Sequence, residues 1–276
     1  LNLSARFVAC VYFKNKLCEN DKLGIPYWRA VDLLFDKIDL VKDLKGFKFA
    51  DFGTRRRFSA NWHQHVVRIL ADLPRDRFIG SSNVDVAFCT GVPAIGTMAH
   101  EWIQAGQVLS PSLRDSQKFM LQKWNDEYKD QLSVALSDTI GSDAFLKDFS
   151  KYFAQMYNGV RQDSGDPYEF AEKIIAHYEK MYIDPRTKHI IFSDNLNFPK
   201  AIDLFKKFND RINVSFGIGT NITNDIPGFK PISIVMKLQK CNGKPVAKIS
   251  DEVAKAQCQD KEYLQHIKDV FEIYEN

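Results

Sequence analysis

The sequence lacks the features of several specialised protein classes. It contains no run of about 18 to 20 apolar residues, the length that a membrane-spanning helix needs, and no internal repeat or low-complexity tract. Lys and Arg together number 38 and Asp and Glu 35, so the net charge of +3 is too small to predict a nucleic-acid partner. With 45% hydrophobic and 26% charged residues, the 276 residues predict one large globular domain or two smaller ones.

Cysteine is scarce and scattered. The five cysteines have neither the close spacing of a zinc knuckle nor that of a CxxC redox motif; they are Cys10, Cys18, Cys89, Cys241 and Cys258. We therefore expect reduced thiols in a cytoplasmic protein.

The chain begins with Leu1 rather than Met, inside a segment (LNLSARFVACVYF) that already has the pattern of folded structure. We take the sequence as the later part of a longer protein. Residues 1–45 are mostly helical and apolar, with a polar break at KNKLCENDKLG. We expect them to belong partly to a second, smaller α+β domain that missing N-terminal residues complete.

From residue 46 onward, short β-rich runs alternate with amphipathic helical stretches, which predicts a parallel sheet. The predicted helices are 110–128, 143–156, 167–181 and 198–208. The predicted strands are 47–53, 78–84, 94–99, 132–138, 158–163, 189–194 and 212–220.

Each predicted strand ends in polar or glycine residues after an apolar body. In a closed parallel barrel all strand ends converge on one face, which holds the active site. An open doubly wound sheet gathers only the ends at its switch point. The pattern therefore favours an irregular parallel (β/α) barrel over residues 46–230.

After residue 230 the pattern changes. Two strands joined through Asn242-Gly243 predict an antiparallel hairpin, and a helix over 260–274 follows it. We expect residues 231–276 to pack on the second domain.

Two motifs place basic groups near strand ends. DFGTRRRFS puts Arg55 and two further arginines just past the first strand, where guanidinium forks suit phosphate oxygens or form a solvated basic turn. GTMAHEW puts His100 at a strand-to-helix junction. The HExxH zinc motif is absent, because position 104 is Gln, so His100 is either structural or a functional group other than a metal ligand.

Carboxylates follow later strands. Asp138 and Asp163 could share a magnesium ion that bridges to phosphate oxygens, whereas Asp166 fits the N-cap of the next helix. Arg161 lies on the same side of its strand as Asp163, so the two form either a working pair or a structural ion pair.

The last strand ends in FGIGTNIT, where Gly217, Gly219 and Thr220 could approach a phosphate. Asp194 could bind ribose hydroxyls or cap a helix. The remaining histidines fall on predicted helix or loop surfaces and receive no role; they are His63, His65, His177, His189 and His266.

Eight segments in order resemble the nicotinate phosphoribosyltransferase family in its bacterial and fungal form. They are DFGTRRRFS, SSNVDVA, GTMAHEW, LSDTIGSDAFLKDF, GVRQDSGDPYEFAEK, FSDNL, FGIGTNITND and CNGKPVAKISD. The resemblance implies the barrel of type II phosphoribosyltransferases and phosphoribosyl transfer from phosphoribosyl pyrophosphate to nicotinate, in NAD biosynthesis. It also implies coupling to ATP hydrolysis, with Mg²⁺ as cofactor.

The resemblance also implies residue roles. His100 would be transiently phosphorylated by ATP. The substrate contacts would be Phe52, Arg55, Thr97, Arg161, Asp194, Gly217, Gly219 and Thr220. The carboxylates near magnesium and pyrophosphate would be Asp138 and Asp163. A homodimer with a shared active site is implied as well, with an aromatic residue from the N-terminal region capping the ring.

The sequence leaves two alternatives open and argues against a third. One is a nicotinamide- or quinolinate-using relative, and the neutral loop Ser81, Ser82 and Asn83 favours the acid unless Asp85 turns inward. Another is a barrel that binds phosphoribosyl ligands without turnover. A barrel aldolase or isomerase would need a Lys or Glu at a strand end, and the seven endings contain neither.

Overall fold

The computed structural model describes residues 24–252 and 256–273. The chain forms two compact units, each assembled from separated stretches of sequence. The first unit takes in Leu1–Gly96, Asn195–Lys207 and Val214–Met236, and the second takes in Thr97–Asp194, Phe208–Asn213 and Lys237–Asn276. The domain bounds predicted at residues 45 and 230 stay a prediction, and what was predicted for residues 1–23 lies outside the described part of the chain.

Helices and strands alternate along the described chain. In order they are α1 (Gly24–Val41), β1 (Phe49–Asp51), α2 (Ala60–Ala71), β2 (Phe78–Ser81), α3 (Val84–Thr90), α4 (His100–Leu109), α5 (Ser116–Tyr128), β3 (Val134–Leu136), α6 (Ser142–Asp148), α7 (Lys151–Met156), β4 (Gly159–Gln162), α8 (Pro167–Lys180), β5 (His189–Phe192), α9 (Phe198–Phe208), β6 (Asn213–Ile218), α10 (Thr220–Thr223), β7 (Lys240–Cys241), β8 (Lys244–Pro245) and α11 (Lys261–Val270).

The first unit is built on three parallel strands. β1 pairs with β2 and with β6, and Phe49 lies opposite Phe78 on one side and Phe216 on the other. Phenylalanine rings fill the core beside these strands: Phe47 stacks on Phe216 at 5.0 Å and Phe49 meets Phe198 edge-on at 5.2 Å. Aromatic burial of this kind is a main source of core stability.

The second unit contains the other three parallel strands. β4 pairs with β3 and with β5, so that Arg161 lies opposite Leu136 and Ile191. A small apolar cluster joins α6 to the C-terminal helix; its buried members are Ile140, Ala144, Ala247, Ile249, Ile267 and Phe271. Parallel strands joined through helices confirm the predicted α/β class.

Several predicted elements are shorter than expected, and one is wrong. Residues 94–99 form no strand: Ala94 forms only an isolated bridge with Ser81, through hydrogen bonds of the Pro93 carbonyl and the Ile95 N–H, and residues 96–99 have no strand pairing. The helix predicted over 110–128 starts at Ser116, since Ser110 and Ser112 form a hydrogen-bonded turn first.

The helix predicted over 143–156 is two helices, α6 and α7. Phe149 leaves the helical conformation at ψ 68° and stacks on Phe145 at 4.7 Å. The carboxylate of Asp148 meanwhile accepts hydrogen bonds from Arg114 and Gln117. The hydrogen bonds of this buried carboxylate with residues outside the helix compete with a continuous helix.

The C-terminal predictions hold in shortened form. The hairpin forms as β7 and β8, and its turn residues Asn242 and Gly243 have φ of 48° and 76°, as an Asn-Gly turn requires. The final helix covers Lys261–Val270. Among the described helices, none combines the length and apolar character needed to cross a membrane.

Candidate active site

The carboxyl ends of β3, β4 and β5 bring polar side chains together in the second unit. Asp138 follows β3, Asp163 follows β4 and Ser193 follows β5. Because these strands are parallel and in register, the residues that follow them emerge at the same edge. The sequence predicted this grouping for the two carboxylates.

His100 is the first residue of α4 and lies against both carboxylates. Its Nε2 is 2.8 Å from Asp138 Oδ1 and 3.7 Å from Asp163 Oδ2. Its Nδ1 is 3.1 Å from the Nζ of Lys237. Since a lysine ammonium can only donate hydrogen bonds, this network assigns the ring proton to Nε2, which donates to Asp138. The lone pair then lies on Nδ1.

Burial sets the protonation states of this pair. His100 is only 5% exposed, and burial lowers its pKa below the usual 6.5. The imidazole is therefore neutral near pH 7. Burial alone would raise the pKa of Asp138, but the hydrogen bonds from His100 and Lys248 and the positive charge of Lys248 outweigh burial and hold the pKa well below its usual range. A neutral ring beside an ionised carboxylate is the arrangement that orients and activates a histidine.

A further group of buried residues holds Asp138 from the other side. Its Oδ2 accepts hydrogen bonds from Lys248 Nζ at 2.8 Å and Ser164 Oγ at 2.9 Å. Ser164 also reaches Asp251 at 3.3 Å, and burial raises the pKa of Asp251. Lys248 and Asp251 belong to the segment CNGKPVAKISD, which carried the resemblance without a predicted role.

Arg161 forms the predicted pair with Asp163, at 2.9 Å. The guanidinium also donates to Thr97 Oγ1 and to Ser193 Oγ, each at 2.8 Å. Ser193 in turn donates to Asp163 Oδ1 at 2.7 Å. Three of the predicted residues, Thr97, Arg161 and Asp163, therefore share one hydrogen-bonded network.

One ligand atom from each of His100, Asp138 and Asp163 lies within 4.8 Å of the other two, close enough for a metal site. The existing contacts do not fit magnesium held directly by these carboxylates. Lys248 already neutralises Asp138 and Arg161 neutralises Asp163. Every carboxylate oxygen also accepts a hydrogen bond from a protein donor, which a direct metal ligand would have to give up.

The predicted residues of the first unit gather at the ends of β1 and β6. The ring of Phe52 lies on Gly217, where a Cβ would come within 2.5 Å of it. Gly217 lies inside β6, where its missing side chain leaves room for the Phe52 ring. Gly219 and Thr220 begin the short helix α10. Arg55 lies in a 3-10 turn over Thr54–Arg56.

The placement of His63 on a surface is wrong. Its side chain is fully buried, and Nε2 lies 2.6 Å from Asp51 Oδ2. Asp51 also accepts hydrogen bonds from Ser81 Oγ and from the N–H of Gly53. The network ties β1, α2 and β2 to the turn that carries Phe52. The sequence misplaced His63 because helix periodicity alone could not show which face of α2 is buried.

The same network corrects the neutral-loop argument for acid preference. Ser81 is bound to Asp51, and Asn83 caps α3 by accepting from the N–H of Val86. Ser81 and Asn83 are thus buried structural residues. Ser82 is the one residue of this loop whose side chain is partly exposed. Asp85 is exposed on the first turn of α3, so it does not turn inward.

Asp166 caps α8, as its simpler interpretation predicted, and Asp194 is partly buried in the bend after β5. The sequence missed Lys237 and gave Lys248 no role. Lys248 lies in CNGKPVAKISD, one of the segments that carried the resemblance, and this was a signal for it, but Lys237 lies in a stretch predicted to be a strand, where nothing marked it. Cys89, Cys241 and Cys258 form no disulfide within the described chain.

Comparisons with known proteins agree with this fold. The model of the nicotinate phosphoribosyltransferase (NAPRTase) family matches residues 47–275. The crystal structure of nicotinate phosphoribosyltransferase from Vibrio cholerae superimposes with a TM-score of 0.91 and 37% identity, over 100% of this chain and 67% of that one. The enzyme from Porphyromonas gingivalis gives a TM-score of 0.89 at 33% identity, over 98% of this chain and 69% of that one.

Relatives found by sequence share a higher identity with this chain than these solved structures do. Nicotinate phosphoribosyltransferase from Pseudomonas putida strain F1 is 51% identical over 250 residues, which are 88% of this chain and 62% of that protein. The same enzyme from Burkholderia mallei is 47% identical over 266 residues, 95% of this chain and 65% of the relative. The chain therefore belongs to the nicotinate phosphoribosyltransferase family. It spans about 62 to 65% of the length of these relatives.

Proposed function

We propose that the protein containing this chain transfers the phosphoribosyl group of phosphoribosyl pyrophosphate to nicotinate. The products are nicotinate mononucleotide and pyrophosphate, in NAD biosynthesis, and ATP hydrolysis is coupled through a phosphohistidine at His100. Support comes from the family match over residues 47–275 and from the contacts of His100. The observation that carries the proposal is the neutral, buried imidazole of His100, oriented by ionised Asp138.

A phosphohistidine needs a lone pair on a neutral ring. Asp138 holds the proton on Nε2, which leaves Nδ1 as the nucleophile, and the low pKa of His100 keeps the ring neutral at physiological pH. Phosphorylation adds a strongly charged group to this cluster, which can reorganise the hydrogen bonds of Asp163 and Arg161.

The transfer step itself asks for positioning and charge stabilisation rather than covalent chemistry. As pyrophosphate leaves C1 of the ribose, positive charge develops on the sugar and the ring nitrogen of nicotinate attacks it. We assign Arg161 and Thr97 to the nicotinate ring or its carboxylate, and Asp163 to the charge that develops on the ribose. Their shared hydrogen-bond network supports this assignment by fixing all three side chains.

The remaining substrate roles rest on the resemblance. Phe52 and Arg55 are assigned to the nicotinate ring and the diphosphate, and Asp194 to the ribose hydroxyls. Gly217, Gly219 and Thr220 are assigned to the 5′-phosphate, with the close contact of Gly217 and Phe52 as the structural support.

Cofactor, assembly and location are proposals of the same kind. Magnesium enters as the companion ion of the diphosphate and not as a direct ligand of Asp138 or Asp163. A homodimer with a shared active site follows from the resemblance. A cytoplasmic location is supported by the unpaired state of Cys89, Cys241 and Cys258 in the described chain.

The test uses γ-labelled ATP with the full-length protein. Wild type should take up acid-labile label and make nicotinate mononucleotide faster with ATP than without it, whereas His100→Ala should take up none. The matched control is His266→Ala, which removes an exposed histidine of α11 and should leave labelling unchanged.

Two results would count against the proposal. An unlabelled wild-type protein that is folded would make His100 structural, with an uncoupled transferase or a phosphoribosyl-binding protein as the better account. Preference for nicotinamide or quinolinate over nicotinate, in a competition assay, would reassign the substrate within the same fold.

A further inference from the structure

Lys237 lies beside the reacting nitrogen of the candidate site, although nothing in the sequence pattern marked it. Its Nζ is 3.1 Å from Nδ1 of His100, and its side chain is only 11% exposed. Glu101 Oε1 lies at 3.9 Å from the same ammonium, beyond hydrogen-bond distance. The segment that carries Lys237 runs between α10 and β7 without regular secondary structure.

Two other cations approach the cluster, but they serve its carboxylates. Lys248 binds Asp138 Oδ2, on the far side of that carboxylate from the imidazole proton. Arg161 is held by Thr97, Ser193 and Asp163. Of these three described cations, Lys237 is the one whose ammonium lies next to Nδ1 of His100.

We propose that Lys237 is a catalytic residue that binds the phosphoryl group during its transfer to His100. This inference rests on the proposed function, because it assumes that His100 accepts the γ-phosphoryl group of ATP. The lone pair of Nδ1 faces the ammonium of Lys237, so the ammonium shifts to the phosphoryl oxygens as this lone pair forms the new N–P bond and the bond from phosphorus to the bridging oxygen of ADP breaks. The electron pair of that bond stays on the ADP oxygen.

The charges explain what Lys237 contributes. As the N–P bond forms, the ring gains positive charge, which Asp138 stabilises through the Nε2 proton. The three equatorial phosphoryl oxygens carry negative charge in the transition state. The ammonium of Lys237 already lies beside Nδ1 of His100, the nitrogen that the phosphoryl group approaches. A fixed cation in a site that excludes most water stabilises such charge strongly.

The test measures the rate of phosphoenzyme formation against ATP concentration in the full-length protein. Lys237→Met should lower the maximal labelling rate by about 100-fold or more, the typical cost of losing one preorganised donor, with a smaller change in the ATP concentration for half-maximal rate. Lys237→Arg keeps a positive charge and should recover part of the rate. Lys240→Met, at the start of β7 and exposed, is the matched control and should label as wild type does.

The outcomes separate this inference from the proposed function. An unlabelled wild type contradicts the proposed function. A labelled wild type with equally fast labelling of Lys237→Met overturns only the role of Lys237. So does a folded Lys237→Arg that labels no faster than Lys237→Met. Thermal unfolding monitors folding of each variant, and Lys237→Gln replaces Lys237→Met if the latter does not fold.

Discussion

Two buried histidine–aspartate pairs differ in what surrounds the second ring nitrogen. Nε2 of His63 binds Asp51, and its Nδ1 has no hydrogen-bond partner among the described residues. Nε2 of His100 binds Asp138, and its Nδ1 faces the ammonium of Lys237. The first pair therefore fits a structural role, and the second fits chemistry at Nδ1.

Asp51→Asn should lower the free energy of unfolding by about 1–3 kcal/mol, the usual cost of leaving buried hydrogen-bonding groups unsatisfied. Asp51 accepts from Gly53, Ser81 and His63, and an amide replaces one of its acceptor oxygens with a donor. Urea denaturation measures the change.

Asp72→Asn is the control for that experiment, since Asp72 is exposed at the end of α2. It should change the free energy of unfolding by less than about 0.5 kcal/mol, as surface substitutions usually do. Equal stabilities of Asp51→Asn and wild type would show that the buried network contributes little.

Among the elements, short strands and capped helix starts determine where the polar groups lie. β3 and β4 have three and four residues, and each delivers one carboxylate at its carboxyl end. α8 begins directly behind the loop that carries Asp163, with Asp166 as its cap and Pro167 in its first turn. The start of this helix therefore also determines the course of the active-site loop.

Asp166→Ala should destabilise the protein by about 1 kcal/mol, the typical cost of losing an N-cap. Asp166 Oδ1 accepts from the N–H groups of Tyr168 and Glu169, at 2.8 and 2.9 Å, and alanine cannot replace it. Thermal or urea unfolding gives the difference.

For comparison, Asp203→Ala removes an exposed carboxylate from the interior of α9, where alanine is the better helix former. It should leave stability unchanged or slightly raised. A loss for Asp203→Ala as large as that for Asp166→Ala would mean that the cap is not the cause.

In the whole molecule, buried titratable groups make stability depend on pH. The pKa of folded His100 is lowered by burial from the usual 6.5, so the unfolded state takes up a proton at higher pH than the folded state does. Stability is therefore lost as pH falls through 6.5 toward the lowered pKa. The depressed pKa of Asp138 adds loss of the same sign at more acid pH, below its usual 3.8.

The free energy of unfolding should thus decrease between about pH 7.5 and 5.5, the range in which a histidine of ordinary pKa titrates. His100→Gln cannot titrate there, so its curve should be flatter than that of wild type. Urea denaturation at a series of pH values compares the two. Parallel curves would show that His100 titrates normally in the folded protein.

Much of the fold and part of the site could be predicted from the sequence. Hydrophobic periodicity showed six of seven predicted strands and the helices α8 and α9, because these segments bury one regular face. It failed at residues 94–99, where only Ala94 pairs with Ser81, and at Phe149, where the hydrogen bonds of the neighbouring Asp148 with residues distant in the chain override local preference. The polar residues after the strands predicted Asp138 and Asp163 as members of one site, since parallel strands place their carboxyl ends at the same edge of the sheet.

What the sequence determined by itself was therefore the order of elements, the α/β class and the residue types at the strand ends. The tertiary structure decided which nitrogen of His100 carries the proton, because that depends on Asp138 and on Lys237, residues 38 and 137 positions away in the chain. It likewise decided the burial of His63 against Asp51. Protonation and burial depend on neighbours in space, and a local pattern carries no information about them.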